Sequence, residues 1–475
     1  MRSRMPLYRS IAARLRAAIE QGAYVPGQKV SSARKIAQRE GVSLTTAVDA
    51  LRVLESEGLL LARPRSGFFV VDKRAPEPVP SRPSKYPQFV TSAAIARSIF
   101  LTRPDIIFPL GAALPDPAWL PLRDLQRALT AAGRRLGPAA QTYSMPPGRA
   151  DLRRQISARA VNWGATFGPD EVVITSGETQ AMRLALKVTC KAGDVVAVES
   201  PTYFGALMLL ETLGLRALEI PTDPRTGLSI DALERALTTR KIAAVLASPN
   251  VQNPLGASMP LNQKKRLVTL LQTHQVPLIE DDVYGDLVSQ PGIRAGCKAF
   301  DTDGLVLYCS SASKTLAPGW RIGWIAAGRY VDAVLRARLE ESLAGSPLIE
   351  AALADFLSSG DYERHLRRFQ SRVEGGIRAI AARIEDSFPA GTRFSRPANG
   401  YLLWVELPKS VDALEVHRQA LGVGIGISPG PLFSPQTGFQ HHLRLNCANE
   451  PSAGLLQAID RLGAICASLA EAVHR

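Results

Sequence analysis

Cysteine is scarce in this chain. The 475 residues hold five (Cys190, Cys297, Cys309, Cys447 and Cys466), scattered and with no CxxC pair. That set suggests neither a disulfide framework nor a zinc site and suits a reducing cytosol. Long apolar runs are missing too. None approaches the ~20 residues needed to span a bilayer, and no signal-like apolar stretch follows Met1. The expectation is a soluble, cytoplasmic protein without a membrane partner. No metal is expected either, because the pair His441-His442 would point to opposite faces of a strand. Internal repeats and low-complexity tracts are absent outside one proline-rich stretch.

Acidic residues run short at one end. The chain carries 57 Lys and Arg against 43 Asp and Glu, a net charge of +14. Residues 1–74 alone hold fourteen Lys or Arg against six acids, so this short segment contributes +8 of that total. A small basic head on a milder body is the footprint of a nucleic-acid-binding module. Within it, Tyr8, Ile11, Ala12, Leu15 and Ile19 fall at helical spacing, ended by Gly22 and Pro26-Gly27. Ser32 can cap a second helix that stops at Gly41. Ser43 can cap a third, with Ala47, Ala50, Leu51 and Leu54 inward and Gly58 beyond. Two β-rich runs, Leu59–Ala62 and Phe68–Val71, flank the basic hairpin Arg63, Pro64, Arg65, Ser66, Gly67. Three helices and a hairpin read as a winged helix-turn-helix, here assigned to residues 1–73, whose partner is double-stranded DNA.

Residues 74–88 are rich in proline, which favours an extended spacer. From residue 89 to 475 short apolar runs alternate with helical patterns. Val172–Thr175, Val195–Glu199, Ala243–Ala247, Leu278–Asp281 and Leu305–Cys309 read as strands of a largely parallel α/β sheet. This gives a large lobe at about 141–329. The flanking segments, with β-rich runs at Gly400–Glu406 and His442–Asn446, read as a smaller α+β lobe.

The stretch SSASKTLAPGWRIGW, from Ser310 to Trp324, carries the chemistry. Lys314 follows Ser311 and Ser313, and Arg321 lies close behind. Hydroxyls and a guanidinium suit a phosphate ester, and a lysine beside them suits an imine with an aldehyde. Together they point to pyridoxal 5'-phosphate. Other residues fit the same group. Ser176 and Gly177 lead from a strand into a helix starting near Glu178, where free N–H groups can hold phosphate. Asp281 ends a strand and can keep a pyridine nitrogen protonated. Asn253 and Tyr284 can bond the ring oxygen, and Tyr203 can stack on the ring.

With these motifs in place, the body from about Gly111 onward resembles a fold-type I aminotransferase, and residues 6–71 resemble a GntR-type winged helix. The fusion resembles the MocR group of bacterial transcription regulators. The resemblance implies that Lys314 is the Schiff-base lysine, Asp281 the pyridine partner and Tyr203 the stacking ring. Ser176, Gly177, Glu178 and Thr179 match its first phosphate loop, completed by Ser311, Ser313 and Arg321. It also implies a homodimer in which Tyr143 reaches the neighbour's phosphate, and an Arg444 that holds the α-carboxylate of an amino compound. In the head it implies DNA contacts at Ser32, Arg34, Ser43, Thr45 and Thr46, with Arg63, Arg65, Ser66 and Gly67 in the wing. Three departures stand out. Leu44 occupies the usual place of a recognition-helix arginine, Ser31 stands where proline is common, and Glu178 where a neutral residue is more usual. The expectation for Glu178 is a side chain turned away while its N–H binds.

The functional expectation is a cytoplasmic, pyridoxal-phosphate-dependent transcription regulator, nucleoid-associated when bound to its operator. It would sense the cofactor or an amino acid or amine at Lys314. The alternative is a working class I/II aminotransferase, converting amino acid to 2-oxo acid, that carries a DNA-binding head. A third reading, a DNA-binding protein that has lost its cofactor, is weak because every position still has competent chemistry. A DNA head has no use in amino-group transfer, so regulation is favoured.

Overall fold

The computed structural model describes residues 7–20, 23–24, 28–56, 59–63, 66–70, 77–101 and 106–472. Gly22, Pro26, Gly27, Gly58, Pro64, Arg65, Val71 and residues 74–76 therefore lie outside the described residues, as does the side chain of Arg63. The chain divides into two compact units, Met1–Ala75 and Pro76–Arg475.

In the first unit, α1 (Leu7–Glu20), α2 (Ala33–Glu40) and α3 (Leu44–Ser56) precede the antiparallel pair β1 (Leu60–Arg63) and β2 (Gly67–Val70). Ser32 caps α2, its Oγ accepting from the Lys35 N–H at 3.3 Å. Gly41 ends that helix at φ +63°, a left-handed turn that suits glycine. Ser43 opens α3 by accepting from the Thr46 N–H at 3.1 Å, and its hydroxyl also bonds that of Thr46 at 2.8 Å. The amphipathic spacing then does its work. Ile11, Leu15, Ile36, Ala47, Leu51, Leu54, Leu60 and Val70 meet in one small core. Each buried aliphatic side chain contributes roughly 1.5–3 kcal/mol. The wing is held on by backbone bonds from Val30 to Phe68 and from Val70 to Gln28.

The second unit is built on a nine-stranded sheet. Its main strands are β3 (Val172–Thr175), β4 (Val195–Ser200), β5 (Arg216–Asp223), β6 (Ala244–Ala247), β7 (Leu278–Asp281), β8 (Val306–Ser311) and β9 (Gly323–Ala326). They lie in the order β5-β4-β6-β7-β8-β9-β3, and two-residue strands at Gln88–Phe89 and Gly227–Leu228 pair with β5. Neighbours from β5 to β8 are parallel, whereas β9 runs opposite to both β8 and β3. Alternate residues feed two cores. Val196, Val198, Leu246 and Ile279 face one side, and Val195, Ala197, Val245 and Leu278 the other. Burial on both faces explains why these strands read as continuous apolar runs.

A long helix, α5 (Asp361–Ser387), precedes the smaller lobe. There β10 (Leu402–Glu406) pairs antiparallel with β11 (His442–Asn446). His442 stacks on Trp404 with ring centroids 5.1 Å apart, while His441 Nδ1 bonds the Val411 carbonyl at 2.8 Å. The last helix, Ala453–Ala472, corrects one expectation. Its 20 residues are apolar enough by composition to cross a membrane. Its small residues and interspersed polar ones hide that from a search for an unbroken apolar run. In the fold Leu455, Ile459, Leu462 and Cys466 are buried, and Gly463 lies hard against Ser387 at the end of α5.

Candidate functional site

The parallel strands deliver their chemistry at one end of the sheet, where open α/β sheets bind ligands. Asp281 ends β7, Lys314 follows β8, Tyr203 follows β4, and Asn253 lies in the turn after β6. Reversed β9 starts at that same end, so Arg321, just before it, joins them. A cavity of about 50 Å³ is lined by Glu178, Thr179, Tyr203, Asn253, Asp281, Val283, Tyr284, Ser311, Ser313, Lys314 and Arg321. Ser176 and Gly177 adjoin it without lining it. The Ser176 carbonyl accepts from Arg321 at 3.4 Å, and Gly177 (φ +86°) lies so close to the guanidinium that a Cβ there would overlap it.

Backbone approach shapes this corner. The helix α4 (Glu178–Thr189) begins directly after Gly177, presenting unpaired N–H groups. Gly323 in β9 touches the same turn. A Cβ at 323 would stand 2.7 Å from the Glu178 nitrogen and closer still to the Gly177 carbonyl carbon. Gly323→Ala is therefore expected to push β9 off the loop, costing about 1–3 kcal/mol in thermal unfolding and weakening cofactor retention in equilibrium dialysis.

Lys314 Nζ donates to the Ala113 carbonyl at 3.0 Å and lies 6.0 Å from the Tyr284 ring centroid. Burial lowers its pKa to about 8, with Arg444 and Arg321 pushing the same way and Glu178 and Asp281 opposing. The amine is thus readier than an ordinary lysine to lose its proton. The peptide after it is clamped from α5. The Tyr362 hydroxyl bonds Thr315 Oγ1 at 2.7 Å, and His365 Nε2 bonds the Thr315 carbonyl at 2.6 Å. Burial raises the Tyr203 phenol to about 12, so it stays neutral. The Tyr203 ring packs over Gly205, where a Cβ would collide with it.

Arg444 on β11 is 1% exposed. It donates to Asn253 Oδ1 at 3.1 Å, to Ser428 Oγ at 3.2 Å and to the Gly111 carbonyl. All three acceptors are neutral. Tyr143 stands apart, 73% exposed on a loop of its own chain. Glu178 departs from expectation. Its side chain is not turned away from the site but is buried and lines the cavity with Asp281, and that burial raises its pKa. In the head, Ser32, Arg34, Ser43, Thr45, Ser66 and Gly67 are exposed and Thr46 is half-buried. Leu44 is 47% exposed at the first position of α3.

Several contributors carry no sequence signal. Ala113 and Tyr401 reach Lys314 from far away in the chain. Asp282 is buried behind the site, receiving Asn250 Nδ2, the Tyr308 hydroxyl and Arg294 Nη1 at 2.7–3.0 Å. Only the doubled aspartate in IEDDVYGD hints at it.

The residues fit pyridoxal phosphate on one observation above all. Tyr284 Oη, Ser313 Oγ, Glu178 Oε1 and Arg444 Nε are buried without a hydrogen-bond partner among the described residues. Such atoms cost roughly 1–3 kcal/mol each unless a ligand satisfies them. A phenol beside Asn253, a serine hydroxyl beside Arg321 and a helix N-terminus suit a ring oxygen and a phosphate.

Comparison with known proteins agrees. Residues 115–462 match the family of aminotransferase class I and II, and residues 7–70 match the bacterial regulatory proteins of the gntR family. The uncharacterized HTH-type transcriptional regulator YjiR of Escherichia coli is 37% identical over 474 residues, covering 99% of each chain. The chain belongs to the MocR-type transcription regulators. A second Escherichia coli regulator of this type, YdcR, is 37% identical over 97% of this chain and 98% of its own. Among solved structures, the alpha-aminoadipate aminotransferase LysN of Thermus thermophilus is similar at a TM-score of 0.73 and 28% identity. That likeness covers 79% of this chain and 95% of LysN, which was solved with N-(5'-phosphopyridoxyl)-L-leucine. A MocR-type regulator has a fold-type I aminotransferase body, and its cofactor is pyridoxal 5'-phosphate. The gntR-family head binds DNA.

Proposed function

We propose that this MocR-type regulator changes its hold on operator DNA when an amino acid or amine enters the cavity at Lys314. The observation that carries the reading is Arg444, a buried guanidinium with only neutral acceptors and one unsatisfied N–H, joined to the cavity through Asn253. A buried cation without an anion is costly, and an α-carboxylate would relieve it. Pyridoxal phosphate supplies an aldehyde that captures amines and a ring that accepts electrons. Around it we assign Lys314 to the aldehyde, Asp281 to the pyridine nitrogen, Tyr203 to the ring face, and Asn253 and Tyr284 to the ring oxygen. Ser176, Gly177, Thr179, Ser311, Ser313 and Arg321 hold the phosphate, with the Glu178 backbone N–H. The proposed division is a head over 1–73, a linker over 74–88 and a body from 89. The working form is a cytoplasmic homodimer, nucleoid-associated on its operator, in which exposed Tyr143 completes the neighbour's phosphate site. Two tethered heads then meet two half-sites.

Arg444 belongs to the smaller lobe and Lys314 to the larger, so one ligand bridging both favours lobe closure. Coupling of this kind is typically about 5–150-fold in affinity, and it is reciprocal. The test is a paired titration: operator binding with and without candidate amines, and amine binding with and without operator. Equal factors in both directions are expected. Arg444→Lys should lose the response to amino acids while keeping covalent cofactor attachment, because attachment needs Lys314 and not the carboxylate clamp. Operator affinity unmoved by any amine, together with rapid amino-group transfer to a keto acid, would favour the enzyme reading instead. The intact set of Lys314, Asp281 and Arg444 keeps that reading chemically competent.

A further inference from the structure

Glu178 is the wall of the cavity whose side chain the chemistry above leaves unused. As the first residue of α4 it offers its backbone N–H to an anion, yet its carboxyl turns inward and is 8% exposed. Oε1 has no hydrogen-bond partner among the described residues. Asp281, at the end of β7, lines the same cavity and is the charged group that bears most on it, and a protonated Glu178 can donate to its carboxylate. Asp282, from the same strand end, adds like charge, and Lys314 after β8 is the cation it faces. Arg321, ahead of β9, and the Tyr203 phenol border the same cavity, and Cys309 on β8 feels its charge from below.

A pyridine nitrogen and the Glu178 carboxyl therefore want the same partner. Protonated, Glu178 can give Asp281 the hydrogen bond that a pyridinium would give. Ionised, it places a negative charge beside Asp281 and within the cavity that must admit a phosphate dianion. Either form opposes the cofactor, and the ionised form opposes it more. Most other walls, Tyr203, Tyr284, Ser311, Ser313, Lys314 and Arg321 among them, offer donors or positive charge. Glu178 works against them.

We propose that the Glu178 side chain sets the cofactor affinity of this regulator, competing with the pyridine nitrogen for Asp281 and repelling phosphate, so that pyridoxal phosphate is held reversibly and the penalty imposed by residue 178 grows as pH rises. A site tuned this way reports cofactor supply, which a permanently loaded enzyme cannot do. The inference rests on the assignment of this cavity to pyridoxal phosphate, and not on any response to amines or DNA.

The test uses the full-length chain freed of cofactor and titrated with pyridoxal phosphate at pH 6.5, 7.5 and 8.5, read by visible absorbance and by equilibrium dialysis. Glu178→Gln keeps the shape of the side chain and removes the charge. Its affinity at pH 8.5 is expected to exceed that of the unaltered chain by about tenfold, the scale of one close like-charge contact. The gap should narrow toward pH 6.5, because burial favours the protonated form of Glu178. Glu178→Ser, which also removes the competing hydrogen bond to Asp281, should bind at least as tightly as Glu178→Gln at every pH. Ionisation of Lys314 and of the phosphate is common to all three proteins, so only the difference between them reports on residue 178. Equal or weaker binding by both variants across the range, with unfolding temperatures unchanged, would overturn the proposal. If none of the three bound the cofactor, the assignment of the cavity would fall, and the role of Glu178 with it.

Discussion

Lys314→Ala is expected to give a folded, colourless protein to which borohydride attaches nothing. In the unaltered chain, mass spectrometry after reduction should find the pyridoxyl group on Lys314. An adduct on any other lysine would overturn the assignment. The size of the effect follows from position. Nζ stands in the cavity with Asp281, Tyr284 and the hydroxyls of Ser311 and Ser313, and burial brings its pKa to about 8. At neutral pH far more of it is free base than of a surface lysine, whose pKa is near 10.4. Capture of pyridoxal phosphate should accelerate as pH rises toward 8 and then level off. The same shift bears on stability. A lysine that binds its proton less tightly when folded destabilises the fold fully below its folded pKa, and the penalty fades as pH climbs to the unfolded value. Lys314→Ala removes that penalty. At pH 7 the cofactor-free variant should melt no lower than the unaltered cofactor-free chain, in thermal scans followed by circular dichroism.

Much of this site was legible because open parallel sheets concentrate function at strand ends. The runs ending at Thr175, Glu199, Ala247 and Asp281 are short and apolar, and the polar residue after each is conspicuous. Two of the main strands of the large sheet were not legible, for different reasons. Arg216–Asp223 mixes Arg, Glu, Pro and Asp into its run because, near the edge, alternate residues are only half-buried. Gly323–Ala326 hides inside the lysine motif, and its reversed direction depends on pairing with β8 and β3, which local pattern does not encode. The contacts that hold Lys314 in place span 201 residues to Ala113 and 87 to Tyr401. No spacing rule reaches that far. Glu178 shows the converse. Its identity was readable as a departure, but the direction of its side chain follows from the cavity that Asp281 and Lys314 make.

Operator binding is expected to collapse with salt and to vanish when residues 1–75 are removed. Affinity should drop by about 10³–10⁵ between 50 and 200 mM salt if the proposed homodimer neutralises 6–10 phosphates, with a slope near −0.9 per phosphate. The first 74 residues hold fourteen Lys or Arg against six acids, enough cations in one head to meet that number. Their placement separates two kinds of contact. The Ser43 hydroxyl bonds that of Thr46 and accepts from the Thr46 N–H, which fixes the start of α3. Leu44, exposed at the first position of α3, offers only an apolar surface, so the expected operator contacts are Thr45, Thr46, Arg34 on α2 and the wing. Arg34→Ala then decides between roles. A phosphate contact would weaken every sequence alike and reduce the salt slope by about 1, whereas a base contact would relax preference at one position and cost about 1–3 kcal/mol. Fluorescence anisotropy against an operator and a scrambled duplex, across a salt series, distinguishes them. An affinity that barely moved with salt would mean that the basic excess of the head does not face DNA.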